Sequence, residues 1–263
     1  MAAVTAIAST TLSSAITATQ LNIPVASAAS ITTSMVLLIR NEVLQPYQVD
    51  TTNNIVYCKR GVNGSLPFAQ ASSTRVYYAT PDTWQTLRSN AMSVVGANST
   101  LPQYLMPGQR ATDGAGNEYI MVDLTSTCYS GTTVMISNDG LYTATQAAGG
   151  NQGSIGLTLE EGSSNQWTWA QIYGYNSYAQ DTIGDSAGTS ALLAVAATTP
   201  STPSVGLATV AVSSVGRYYI NGMFVVGIPT TATTSATSST GVAYPVFLNY
   251  PYIVAALQDL SSL

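Results

Sequence analysis

The chain contains no histidine among its 263 residues. Histidine is the side chain that most often serves as a general base near neutral pH, and neutral imidazole is the commonest metal ligand in proteins. Its absence excludes Ser-His-Asp and Cys-His catalytic arrangements. We therefore expect a protein that is not an enzyme, with no catalytic residue and no cofactor or metal site.

Charged residues are also scarce, at 7% of the chain, against about 25% in typical soluble proteins. Residues 1–80 carry four basic and two acidic side chains, whereas residues 81–263 carry three arginines and ten acids. The larger part therefore offers no row of cations for phosphates, and we expect no nucleic-acid partner. So few charges favour a surface that lies against other proteins; a surface that is simply polar and uncharged is the alternative.

Long apolar runs are missing as well. The run at residues 35–39 is far too short to cross a bilayer, and residues 1–29 lack the basic and apolar segments of a signal peptide. We expect no membrane partner and a protein that stays in the compartment where it is made. Cys58 and Cys128 lie in strand-like runs without metal-binding spacing, which predicts buried thiols rather than a disulfide.

What the sequence does contain is the alternation typical of β-strands. Trp167, Trp169, Gln171 and Tyr173 stand two residues apart, so an extended strand bounded by glycines places them on one face. Large aromatic side chains dominate the cores that they enter, so this strand is expected to anchor its domain. The Asn-Asp-Gly sequence at 138–140, between two strand-like runs, predicts a tight hairpin.

Regular short strands separated by turns predict an all-β fold, with a small N-terminal β module followed by a sandwich or barrel-like domain. Four segments are expected: an N-terminal arm at 1–20, the β module at 21–80, a linker at 81–107 and the β-rich domain at 108–263.

Three of these segments carry further expectations. The arm has no core of its own and is expected to reach neighbouring subunits. The linker contains one or two helical turns from residue 83, with Asp82 as N-cap. In the last segment, the Ser/Thr-rich residues 230–240 are expected to form an exposed loop.

Two acidic groups suggest chemistry of other kinds. Oxygen ligands for Ca²⁺ are present in one stretch, at Asp113, Asn117, Glu118 and Asp123. The spacing differs from that of an EF-hand, and the Asp-Gly-x-Gly-Asn run favours a hairpin loop. Glu160 and Glu161 are adjacent, so an extended chain directs them to opposite faces. That geometry suits a solvated turn better than the acid–base pair of a glycan hydrolase.

Three short motifs follow one another in the N-terminal module: Val-x-Ser-Ala at 25–28, Ile-x-Asn-Glu-Val at 39–43 and Arg-Gly-x-x-Gly-Ser at 60–65. This order resembles a small β module that recurs in virion proteins of tailed bacteriophages. There the last motif usually reads Arg-Gly-x-x-Gly-Thr and precedes a stretch rich in Ala and His. Here Ser65 replaces the threonine and histidine is absent. Arg60 and Gly61 are explained by ending a hairpin and turning the chain, so neither is assigned a ligand.

Five more motifs follow in the larger domain: Gly-Asn-x-Tyr at 116–119, Asp-Gly-x-Tyr at 139–142, Ile-Gly-x-x-Leu at 155–159, Trp-Ala-Gln-Ile-Tyr-Gly at 169–174 and Val-Phe-Leu-Asn-Tyr-Pro-Tyr at 246–252. This order is similar to the head decoration or cement proteins of tailed phages, where a Tyr-Gly-Trp-Val-Gln-Ile-x-Gly strand is usual. Thr168 replaces the glycine of that strand. The resemblance implies a homotrimeric β protein, made in the host cytoplasm and seated outside the capsid, which bridges neighbouring subunits of the major capsid protein.

A tail-associated or receptor-binding fibre protein is the alternative. Sixteen tyrosines and the Thr-rich residues 230–240 would then present aromatic platforms to host-surface glycans. Packing within the β core is the commoner role of tyrosine in such a fold. The copy number per particle distinguishes the two functions.

Overall fold

The computed structural model describes residues 7–95, 101–147, 153–181, 192–195, 206–212, 216–225, 230–233 and 240–254. The chain divides into two compact units. The N-terminal unit comprises Thr5–Ser89 and Pro102–Met106, and the C-terminal unit includes Asn90–Leu101 and Pro107–Leu263. The described part is nearly all β with one α-helix, which confirms the predicted fold class.

Six antiparallel strands build the N-terminal unit. They are β1 (Ala8–Thr11), β2 (Asn22–Pro24), β3 (Val36–Ile39), β4 (Glu42–Asp50), β5 (Ile55–Lys59) and β6 (Arg75–Ala79). Their order in the sheet is β1-β6-β3-β4-β5-β2. An isolated bridge between Leu12 and Val25 joins the two edge strands. The sheet therefore curls around a core that includes Ile23, Leu37 and Val56.

The expectation of a free N-terminal arm over residues 1–20 is wrong for its described part. Ala8–Thr11 pairs with β6, and Leu12 and Ile16 are buried in the core of the unit. The physical reason is that burial stabilises by about 25 cal/mol per Å² of apolar surface. These side chains gain that stabilisation within their own chain.

The helix α1 (Pro81–Val95) is longer than predicted, at 15 residues instead of one or two turns. Its N-cap is Thr80 rather than Asp82, because the backbone N–H of Thr83 donates to Thr80 Oγ1 over 3.2 Å. Pro81 takes the first helical position, where its missing N–H costs nothing. The expected linker at 81–107 therefore begins with about four helical turns.

The strands of the C-terminal unit run from residue 110 to residue 254. They are β7 (Arg110–Thr112), β8 (Glu118–Leu124), β9 (Thr133–Ile136), β10 (Thr143–Gln146), β11 (Gly153–Thr158), β12 (Trp167–Asp181), β13 (Leu192–Val195), β14 (Gly206–Val212), β15 (Gly216–Val225), β16 (Thr230–Thr233) and β17 (Thr240–Val254). Strand β12 pairs with β8 and β11, β11 with β9, β9 with β10, and β10 in parallel with β8. These five strands close a small barrel.

The tryptophan strand has buried side chains on both of its faces. Ala170 and Ile172 face the barrel interior with Ile120 and Val122. On its other face, Trp169 is fully buried and its indole N–H donates to the carbonyl of Ala91 in α1 over 3.2 Å. The predicted end of this strand at Gly174 is wrong, because the strand continues to Asp181.

The remaining strands extend the barrel sheet outward. Strand β17 pairs with β12, β11, β15 and β16, and β14 joins β15 to β13. Strands β13 and β14 are further examples of the regular short strands that the sequence predicts. The predicted loop at 230–240 is wrong at both ends, because Thr230–Thr233 is a strand that pairs with Thr240–Ala243 of β17. Threonine is β-branched and suits a strand even without a large apolar neighbour.

Candidate functional site

A buried ion pair connects two motifs of the N-terminal unit. Glu42 and Arg60 belong to the Ile-x-Asn-Glu-Val and Arg-Gly-x-x-Gly-Ser motifs, and both side chains are buried. Arg60 Nη2 donates to Glu42 Oε2 over 2.6 Å, and Arg60 Nε donates to Glu42 Oε1. A bidentate pair of this kind is among the stronger and more specific side-chain contacts.

The same guanidinium binds three backbone carbonyls, which belong to two segments of the chain. Arg60 Nη1 donates to the carbonyls of Thr17 (3.0 Å) and Gln20 (2.9 Å), and Nη2 donates to that of Phe68 (2.8 Å). Glu42 in turn accepts from the N–H of Phe68 over 3.3 Å. We call these residues the ion-pair cluster. The sequence suggested only that Arg60 ends a hairpin. In the structure, its side chain also organises the loops around it.

The loop that follows Arg60 requires a left-handed backbone at its first glycine. Gly61 has φ 63°, and a Cβ there would lie 2.9 Å from the carbonyl oxygen of Ser65. Ser65 Oγ accepts from the N–H of Val43 over 3.0 Å and donates to the carbonyl of Val62 over 2.9 Å. The Ser65 hydroxyl thus connects the loop to Val43 at the start of β4.

In the C-terminal unit, the Asp-Gly-x-Gly-Asn run forms the predicted hairpin loop between β7 and β8. Asp113 Oδ1 accepts from the N–H groups of Ala115 (2.8 Å) and Asn117 (2.9 Å). Its Oδ2 accepts from Asn117 Nδ2 (2.8 Å) and Tyr119 Oη (2.7 Å). The four donors occupy the carboxylate and explain this aspartate without calcium.

The same hydrogen bonds shift the pKa values of Asp113 and Tyr119. Burial alone would raise the pKa of Asp113, but the hydrogen bonds from Tyr119, Asn117 and Ala115 outweigh it and lower the pKa below its ordinary value. Burial, and then the bond to Asp113, raises the pKa of the Tyr119 hydroxyl. Asp113 is therefore a stable anion that fixes the loop.

The Gly-Asn-x-Tyr motif meets the tryptophan-strand motif at a bulge in β12. Asn117 Oδ1 accepts from the N–H of Tyr175 over 3.0 Å, and a Cβ at Gly174 (φ 98°) would collide with that oxygen. Gln171 Nε2 donates to the carbonyls of Tyr173 and Tyr175, each over 3.1 Å. We call Asp113, Asn117, Tyr119, Gln171 and Gly174 the hydrogen-bond cluster.

The adjacent glutamates occupy different environments. Glu161 is exposed, but Glu160 is buried, and its Oε2 has no hydrogen-bond partner. Burial raises the pKa of the Glu160 carboxyl. The prediction of a solvated turn is therefore wrong for Glu160, because its side chain folds inward from the bend after β11. A buried acid beside an exposed one does not form the facing carboxylate pair of a glycosidase.

Both cysteines are free and buried, as predicted. Burial raises the pKa of the Cys58 thiol to about 12 and also raises the pKa of Cys128. Both thiols therefore stay protonated at neutral pH and behave as small apolar side chains.

Within the described ranges, no three residues of the metal-binding types lie close enough together to hold an ion. Among the same residues, no helix combines the length and the apolar character needed to cross a bilayer. No family model matches the chain, and neither a curated protein nor a solved structure matches it. Any functional assignment therefore depends on the chain's own residues.

The structure also brings together aromatic residues that the sequence left scattered. The Tyr173 ring lies 5.7 Å from that of Phe247, edge to face, and 5.4 Å from that of Tyr250. A hydrogen bond to Glu118 raises the pKa of the exposed Tyr250. Glu118 Oε2 also lies 3.9 Å from Arg110 Nη1. In the sequence, Tyr173 belongs to the motif at 169–174, and Phe247 and Tyr250 belong to the closing motif at 246–252.

Proposed function

We propose that this chain is a structural virion protein that decorates the outside of a tailed-phage capsid. It binds the major capsid protein as a homotrimer and stabilises the shell. The support is the order of the motifs in both units, which resembles phage virion modules and head decoration proteins. A trimer would also cover strand edges that a monomer leaves open to wrong pairing.

One observation carries the proposal: the polar residues of the motifs bind one another. Arg60 is engaged by Glu42 and three carbonyls, and Asp113 is engaged by four donors. Groups with satisfied hydrogen bonds are poor candidates for chemistry but suitable for rigid loops. The motif residues therefore make the scaffold rigid. The outer surface of that scaffold is then available for contacts with other chains.

The surface of the N-terminal unit suits such contacts. Leu66 and Phe68 are 67% and 51% exposed, and Leu21 is 50% exposed. Phe68 and Gln20, the neighbour of Leu21, bind the same guanidinium through their carbonyls. No charged residue occurs from Gly61 to Thr74. An apolar contact without charge is screened little by salt.

We accordingly expect purified particles to retain the protein through a wash in about 1 M salt, where the Debye length is only about 3 Å. Quantitative gel analysis of the pelleted particles before and after the wash measures retention. The matched control is a variant with aspartate at both Leu66 and Phe68, which should be lost from the shell while remaining folded. Release of the wild-type chain by salt alone contradicts the proposal.

Copy number separates this proposal from a tail location. Mass spectrometry of intact particles should find hundreds of copies per particle for a head decoration protein, and a handful for a fibre or another tail protein. An averaged electron-microscopy map of the same particles should then show trimeric density on the outside of the shell. Density confined to the tail would establish the receptor-binding alternative.

A further inference from the structure

A small groove opens at one end of the barrel in the C-terminal unit. Its volume is about 180 Å³, well below the roughly 300–1,000 Å³ of pockets that enclose drug-sized ligands. Its floor includes the barrel-core residues Ile120, Ile136 and Ile172. Barrel mouths are a common place for small-molecule sites, because a packed wall there meets open solvent.

The rim of this groove combines rings with polar groups. Tyr142 and Tyr250 supply the rings, and Asn138, Ser154 and Arg110 supply an amide, a hydroxyl and a guanidinium. Aromatic faces carry partial negative charge and attract C–H groups that bear partial positive charge. The combination suits a ligand with an apolar C–H face and hydroxyl edges, which is the chemistry of a sugar ring.

The backbone at both tyrosines adopts a rare conformation. Tyr142 has φ 52° and Tyr250 has φ 46°, a left-handed conformation that is unusual for a bulky side chain. Seven non-glycine residues of the described part have positive φ, and the two aromatic ones both line this groove. Strained backbone of this kind occurs most often at binding and catalytic sites.

The topology explains why the backbone kinks at Tyr250. Asn249 of β17 still pairs with Tyr173 of β12, whereas Tyr252 pairs with Ser154 of β11. The strand changes partner across Tyr250, and glycine would make that change without steric cost. The chain instead keeps an exposed ring there, whose centroid lies 5.4 Å from that of Tyr173 with the two ring planes inclined at 31°.

The charge at the rim favours a neutral ligand. Arg110 lies 3.9 Å from Glu118, so the single cation of the rim is balanced by a carboxylate. We propose that this groove is a carbohydrate-binding site that takes one neutral pyranose unit of an oligosaccharide, stacked on Tyr250. The site lies within the C-terminal unit alone and does not depend on the proposed capsid role.

Calorimetric titration of the purified full chain tests the site. The ligands are neutral oligosaccharides of glucose, galactose, mannose or N-acetylglucosamine, with sialyllactose as the acidic comparison. We expect saturable binding of at least one neutral oligosaccharide, with a Kd on the order of millimolar for one bound unit. Tyr250→Ala should weaken it about tenfold or more, and Tyr250→Phe, which keeps the ring, by less than about threefold.

Two further variants keep the test decisive. Tyr47→Ala removes a tyrosine of similar exposure, 57%, from the N-terminal unit and should leave binding unchanged. Asn138→Ala trims an exposed rim residue, so it should weaken binding several-fold even if Tyr250→Ala fails to fold. The proposal is overturned if wild type binds no neutral oligosaccharide, if sialyllactose binds more tightly, or if folded Tyr250 and Asn138 variants bind like wild type.

Discussion

The two units fix their motif loops by different physical means. In the N-terminal unit the ion-pair cluster takes a full positive and a full negative charge out of water, with Glu42 at 0% exposure. In the C-terminal unit the hydrogen-bond cluster surrounds a single, partly exposed carboxylate with neutral donors. A left-handed glycine, Gly61, directly follows Arg60 of the first cluster, and another, Gly174, belongs to the second.

The difference shows how a chain with few charges uses those that it has. A buried ion pair adds little net stability over an apolar pair, but the loss of one partner leaves an uncompensated charge. A partly exposed anion with neutral donors loses less when it is altered, and its contribution depends on pH. The N-terminal unit should therefore be the more vulnerable of the two to a single substitution.

The largest effect is expected from Glu42→Gln. Arg60 would keep its charge in a buried site, at a cost of about 3–5 kcal/mol in the free energy of unfolding of the N-terminal unit. Hydrogen exchange measured by mass spectrometry reports each unit separately. Peptides that contain Thr17, Gln20 and Phe68 should lose protection, while those of β8 should keep it.

A paired replacement supplies the control. Glu42→Leu combined with Arg60→Met removes both charges and should be less destabilising than Glu42→Gln alone. If the double variant is as unstable as the single one, the shape of the pair rather than its charge holds the loops. The contrast between the two units would then disappear.

The second effect in size is expected from Gly174→Ala. The added methyl group would be forced into the side-chain oxygen of Asn117 at a backbone angle that L residues avoid, costing about 3 kcal/mol in the stability of the barrel. Gly114→Ala in the adjoining hairpin is a matched control, since a Cβ there meets no atom within 4 Å. Thermal unfolding followed by tryptophan fluorescence compares them. Equal stability of the two variants would show that the bulge relaxes freely.

Much of the fold was predictable because its signals are local. The alternation around Trp169 and the turn residues at 138–140 specify a strand and a hairpin from neighbouring positions. The helix α1 was underestimated although Trp84, Leu87, Ala91 and Val95, all buried, follow its period. The low helix propensity of the Ser- and Asn-rich residues around 90 concealed that stripe.

The closure of the N-terminal sheet, the closure of the barrel and the groove could not be predicted from neighbouring positions. The bridge between Leu12 and Val25 and the parallel pairing of β10 with β8 join strands that turns do not connect. Tyrosine carries no signal for positive φ, so nothing in the sequence places Tyr142 and Tyr250 at the rim of one groove. Such features arise from topology and become visible only when the strands are assembled.

The smallest effect is a pH dependence at Asp113. Its pKa is lowered in the folded state, so its stabilisation is present above the unfolded value of about 3.9 and is lost as the pH falls through the folded pKa. Asp113→Asn should therefore cost about 1–2 kcal/mol at neutral pH, and the difference from wild type should vanish in acid. Asp50, whose pKa is also lowered, remains in both proteins and cancels from the comparison. Urea denaturation at several pH values measures the difference, and parallel curves at every pH would mean that the neutral amide serves this loop as well as the anion does.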